Sequence, residues 1–125
     1  MDKTTEITDS RRLTNSILKG LLDKKGNNII EMDLREIESA VCDYFVIASG
    51  GSNRQVNALA NAVKDTVIED LGEKPWHIEG MDNCSWVLLD YANVVVHVFQ
   101  EETREFYKLE ELWADATVKS IETID

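Results

Sequence analysis

The chain has 125 residues, 43% of them hydrophobic, and sets 24 Asp and Glu against 13 Lys and Arg for a formal net charge of -11. That length suits one domain with a real core, and the hydrophobic content with a single Pro argues for a compact globular protein with no disorder expected beyond the termini. The charge disfavours direct reading of nucleic acid, because so acidic a surface repels a phosphate backbone and no Lys/Arg cluster offsets it; a partner with a basic surface would be steered in instead.

The apolar runs are strand-sized, so no membrane span is expected, and MDKTTEITDS at the start has neither the apolar core of a secretory signal nor the Arg-rich character of an organellar one. The cytosol is the expected compartment. Cys42 and Cys84 stand far apart without a CxxC pair or a His at ligand spacing, which predicts two buried or semi-buried thiols and neither a disulfide framework nor a zinc site.

Leu13, Ile17, Leu18, Leu21 and Leu22 form the stripe of an amphipathic first helix, with Asp9 or Ser10 as N-cap and Gly26 as stop. From Ile29 to Leu34, Ile30, Met32 and Leu34 alternate with Glu31 and Asp33, the pattern of a strand with one wet face near a sheet edge. Residues 36–40 fit neither pattern. The run YFVIA, Tyr44 to Ala48, reads as a buried strand ended by Gly50-Gly51.

Ser52-Asn53-Arg54-Gln55 has the form of a capping box, and Val56, Leu59, Ala60, Val63, Val67, Ile68 and Leu71 then share one helix face, with Gly72 and Pro75 as stop. Trp76 to Glu79 is expected as a short strand with Trp76 and Ile78 facing one way and His77 and Glu79 the other. After the loop GMDNCS, Trp86–Asp90 and Val94–Phe99 read as a hairpin closed by Tyr91-Ala92-Asn93. The unbroken valines of its second strand call for cover on both faces. Phe106, Leu109, Leu112, Trp113 and Ala116 follow at helical spacing and predict one helix returning over the sheet. The element order predicts a mixed sheet, with the passage from Tyr44 to Glu79 crossing over to a parallel neighbour.

Three places could carry chemistry. ASGGSN, Ala48 to Asn53, opens a helix and could cradle a phosphate, but it lacks both phosphate-loop signatures, and a tight turn explains it as well. No paired carboxylates follow on a strand to hold magnesium, so metal-dependent nucleotidyl transfer lacks its site. His77 and His97 meet no nucleophile elbow or triad order, and His97, inside the valine strand, reads as a hydrogen-bonded core or sheet-face residue. The remaining candidate is an interface: aromatics gathered in the C-terminal half among Glu79, Asp90, Glu101 and Glu102 suit a basic protein partner. Phe106 and Trp113 are expected in the core and Trp86 at the surface.

CDYFVIASGGSNRQVNALANAV (Cys42 to Val63), HIEG (His77 to Gly80) and WVLLDYANVVVHVFQEETREFYKLEELW (Trp86 to Trp113) together resemble the Iojap family of ribosomal silencing factors, RsfS, and the likeness runs from about Leu13 to Ala116. The resemblance implies a nucleotidyltransferase-like α/β fold in one domain over residues 1–125, its core between about residues 9 and 117, with a mixed sheet of about five strands packed by helices. It implies no catalytic residue, no metal and no cofactor. The implied function is translation repression: binding a basic protein of the large ribosomal subunit, the one numbered fourteen, so that the small subunit cannot join. Carried over singly, Glu79 and Asp90 are expected as acidic contacts, Trp86 and Phe99 as apolar anchors, and Glu102 and Tyr107 at the rim. Tyr91-Ala92-Asn93 departs from the family's more usual Tyr-Gly-Asp. Alternatives are a large-subunit assembly factor using the same contact, or a nucleotide-binding enzyme at Ser49 to Ser52. A homodimer stays open; neither a membrane nor sequence-specific nucleic acid is expected as a partner.

Overall fold

The computed structural model describes residues 9–121. Helix α1 (Ser10–Asp23) starts where Asp9 accepts the Arg11 backbone N–H at 2.8 Å, so Asp9 rather than Ser10 is the cap. Its end differs in detail from expectation. Lys25, at φ 59°, takes the left-handed position, and the Lys25 and Gly26 N–H groups donate to the Leu22 and Leu21 carbonyls. Gly26 sits in a tight place instead, since a Cβ there would stand 3.3 Å from the Leu59 side chain.

The sheet contains β1 (Asn27–Asp33), β2 (Tyr44–Gly50), β3 (His77–Glu79), β4 (Trp86–Asp90), β5 (Val94–Gln100) and β6 (Thr117–Ile121), ordered β3-β4-β5-β2-β1-β6. One more strand is present than the pattern suggested, because β6 is exposed along most of its length and carries no burial signal. Only β2 and β5 pair in parallel; the other neighbours are antiparallel. The passage after β2, through α2 (Asn53–Leu71), does not reach a parallel neighbour. It lands at the far edge, and β3, β4 and β5 meander back until β5 meets β2.

Both faces of β5 are buried, as its valines require. Helices α1 and α2 cover one face, where Leu13, Ile17, Leu21, Val63, Val96 and Val98 form part of the larger core. At their crossing a Cβ on Gly20 would lie 2.9 Å from the Ala62 carbonyl oxygen, so the helices approach backbone to backbone. On the other face Ile30, Met32, Phe45, Ile47, Val95 and Phe99 meet Leu109, with Trp113 and Ala116 partly buried against them. Ile37 and Ala40 pack there too, from tight turns.

β1 is not the wet-faced strand its alternation suggested. β6 lies outside it, and Glu31 is buried against Arg11, whose guanidinium donates twice to the carboxylate at 2.6 and 2.8 Å. These bonds, larger in effect than the burial that opposes them, hold the Glu31 carboxyl below its usual pKa. The C-terminal helix also differs: it is two pieces, α3 (Glu101–Tyr107) and α4 (Leu109–Leu112), broken at Lys108 with φ 49°. The break rotates the stripe, so Leu109 is buried while Phe106 and Leu112 are exposed.

Candidate partner-docking surface

Strand β4 alternates cleanly. Val87 and Leu89 enter the core under α1 and α2, and Trp86, Leu88 and Asp90 face the other way, each half-buried. In the antiparallel ladder Leu88 stands opposite Glu79, and Asp90 opposite His77. Glu79 and His77 are exposed and joined at 2.7 Å. Near α3, Trp86 and Tyr107 pack with ring centroids 5.0 Å apart, and Phe106 meets Tyr107 edge-on at 5.0 Å. Ser85, Trp86, Glu102, Thr103, Phe106 and Tyr107 line a shallow groove of about 330 Å³.

One sheet face thus carries Glu79, Trp86 and Asp90, with Glu102 and Tyr107 at its α3 border. Phe99, expected as a contact, has no exposed surface. It lies opposite Trp86 in the ladder with ring centroids 4.8 Å apart, and supports the indole from beneath. Asp90 is partly committed to its own turn, since it accepts the Ala92 N–H at 2.7 Å. Sequence reasoning missed Leu88, although its parity with Trp86 and Asp90 was readable. It also placed Phe106 in the core, and that ring is 78% exposed. No signal short of the Lys108 break would have corrected it.

Beneath the surface lies His97. It is buried, and its Nδ1 accepts the Trp86 indole N–H at 3.1 Å. Burial alone pushes its pKa down from 6.5 to about 4, so the ring is neutral at physiological pH. Helix α3 is pinned by Arg104, which donates to the Ser49 hydroxyl at 2.8 Å, the Asn28 carbonyl at 2.7 Å and Glu110 at 3.1 Å.

The Gly-Gly-Ser turn is largely satisfied by its own neighbours. Ser52 Oγ accepts the Gln55 N–H at 3.1 Å, Gln55 Oε1 accepts the Gly51 N–H at 2.7 Å, and the Ser49 hydroxyl is taken by Arg104. These bonds make it the tight capped turn rather than an open cradle. Among the described residues no group of three or more His, Cys, Asp or Glu is placed to hold a metal ion. Cys42 and Cys84 are both buried and free, and burial, aided by Asp43, pushes the Cys42 thiol up to about 11. No helix among those residues is long and apolar enough to cross a membrane.

Comparison with known proteins places the chain in a family. Residues 7–125 match the family model described as ribosomal silencing factor during starvation, RsfS. Ribosomal silencing factor RsfS of Bacillus subtilis is 42% identical over 100 residues, covering 80% of this chain and 83% of that protein. A mouse protein named for mitochondrial assembly of the ribosomal large subunit is 40% identical over 78 residues, 61% of this chain and 34% of its own length. A crystal structure of a Chromobacterium violaceum protein superposes with a TM-score of 0.80 at 36% identity, covering 86% of this chain and 88% of that one. The similar proteins carry the names of ribosomal factors, not of enzymes. This chain belongs to the RsfS family of ribosomal silencing factors, which also includes the Iojap proteins.

Proposed function

We propose that this chain represses translation in the cytoplasm by docking on the large ribosomal subunit, through its basic protein fourteen, so that the small subunit cannot join. The mechanism is steric: one face of the large subunit cannot hold both partners. The observation that carries this reading is the sheet face of Trp86 and Leu88, with Glu79 opposite Leu88 on β3 and Glu102 and Tyr107 beside Trp86 on α3. Aromatic anchors in an acidic rim suit a basic protein surface, the aromatics supplying affinity and the carboxylates orientation and encounter rate. Asp90 extends the acidic rim along β4, and Phe99 serves as backing rather than contact.

Sedimentation of the purified chain with isolated large subunits, followed by addition of small subunits, tests the reading. Co-sedimentation with loss of joined ribosomes is expected. Failure to bind large subunits would overturn it. A second reading, assembly of the large subunit through the same contact, draws on the name of the mouse relative. It predicts that cells lacking the chain accumulate immature large subunits even in rich medium, whereas silencing alone predicts mature subunits that join too readily in starvation.

A further inference from the structure

The Trp86 ring touches Phe99 beneath it and Tyr107 beside it, with ring centroids at 4.8 and 5.0 Å. Neither contact fixes the rotation of an indole about its own bonds, because stacked rings slide and tilt at small cost. One directional contact does so: the indole N–H donates to His97 Nδ1 at 3.1 Å. His97 is itself immobile, buried at 4% exposure in the ladder between Leu88 and Ile47, with the Phe45 ring edge-on at 4.8 Å.

The imidazole is a costly way to fill that space. With Nδ1 accepting, the proton resides on Nε2, and Nε2 is buried without a hydrogen-bond partner. A leucine or phenylalanine would pack among Phe45, Val95 and Phe99 without an unsatisfied polar atom. The Nδ1 acceptor is what an apolar residue could not supply.

We propose that His97 is a positioning residue for the docking surface: through Nδ1 it holds the Trp86 indole in one rotamer, presented to the partner before it arrives. The inference rests on the docking reading above and adds where its anchor gets its order. Pre-ordering an anchor lowers the entropy lost on binding, so its removal shows as weaker docking without loss of the contact residue itself. His97 touches no partner.

The test compares His97→Leu, which keeps volume and removes the acceptor, with His97→Asn, whose side-chain oxygen can take the place of Nδ1. In the isolated chain the Trp86 indole proton is followed by nuclear magnetic resonance, assigned by its loss in Trp86→Phe. Slow solvent exchange is expected in the wild type and in His97→Asn, and exchange faster by about tenfold or more in His97→Leu. Docking to large subunits should weaken about five- to tenfold in His97→Leu and recover in His97→Asn. Equal indole protection in all three, or a freed indole with docking unchanged, would overturn the proposal. Should His97→Leu fail to fold, the wild type and His97→Asn still decide: rapid indole exchange in the folded wild type contradicts the fixed rotamer. Failure of the wild type to dock is a separate result that removes the docking reading, while the exchange data still report whether His97 orders the indole.

Discussion

Trp86 is held from beneath by Phe99, from the side by Tyr107 and through its N–H by His97. Part of its surface is nonetheless free, so Trp86→Ala should cost about 2 kcal/mol, below the range for fully buried tryptophans and within what a domain can lose and stay folded. Docking should weaken at least about tenfold, and circular dichroism should report a folded chain with a lowered melting temperature. An unfolded variant would show that the ring serves the core. His97 makes a pH prediction of definite sign. Its folded pKa is near 4 against 6.5 ordinarily, so between these values the unfolded chain binds the proton and the folded chain does not. Its contribution is therefore whole above pH 6.5 and is lost as pH falls toward 4, by up to about 3 kcal/mol. Urea unfolding of wild type and His97→Asn across that window should show the steeper acid loss in the wild type. At this scale the candidate site was partly legible. Strand parity marks Trp86 and Asp90 from the residue types alone, but Phe99 and Trp86, both aromatic and opposite each other, look equivalent in one dimension. Only the packing of Phe99 in one cluster with Phe45 and Leu109, which leaves it no exposed surface while Trp86 on the same face stays partly open, separates a candidate contact from its support.

Among the elements, the turn joining β4 to β5 is strained. The Asn93 N–H donates to the Tyr91 carbonyl at 3.0 Å, a ring that closes around Ala92 alone and forces it to φ 77°. A Cβ is unwelcome there, since the left-handed region suits glycine far better than alanine. Ala92→Gly should stabilise the chain by about 1 kcal/mol and raise its melting temperature by a few degrees, without altering docking. The short helix α3 depends on Arg104, which ties it to the ends of β1 and β2. Arg104→Gln should leave most of the fold intact but speed amide exchange over residues 101–107 and weaken docking, because Glu102 and Tyr107 lose their fixed place beside Trp86. Unchanged exchange in α3 would mean that packing of Tyr107 alone holds it. The long helices and the central strands were legible because burial writes a period into them: α1, α2, β2 and β5 fall where the pattern put them. The sixth strand and the break at Lys108 were not. β6 is recruited by backbone pairing to β1 with its side chains in water, and a lysine in the left-handed region has no compositional mark.

For the whole molecule, the proposed docking predicts separable contributions from charge and from the candidate face. The net charge of -11 acts at long range and through solvent, so its effect on encounter with a basic partner depends on ionic strength. Raising salt from about 0.1 M to about 1 M shortens the screening length from about 10 Å to about 3 Å, comparable with direct ion-pair contact. Attraction summed over the acidic surface should then vanish, while stacking of Trp86, Leu88 and Tyr107 on the partner persists or strengthens. Calorimetry or surface binding against the purified basic protein should therefore show the association rate falling about tenfold or more across that range, with the dissociation rate changing much less. The same titration on Trp86→Ala should give a parallel association curve at all salts and faster dissociation throughout, because removing an anchor leaves the field intact. If instead the wild-type dissociation rate rises steeply with salt, direct ion pairs at Glu79, Asp90 or Glu102 carry the affinity, and the aromatic centre is a spacer between them. If neither rate responds, the acidity serves solubility alone, and the partner is recognised by shape and apolar contact without help from the charge of the chain.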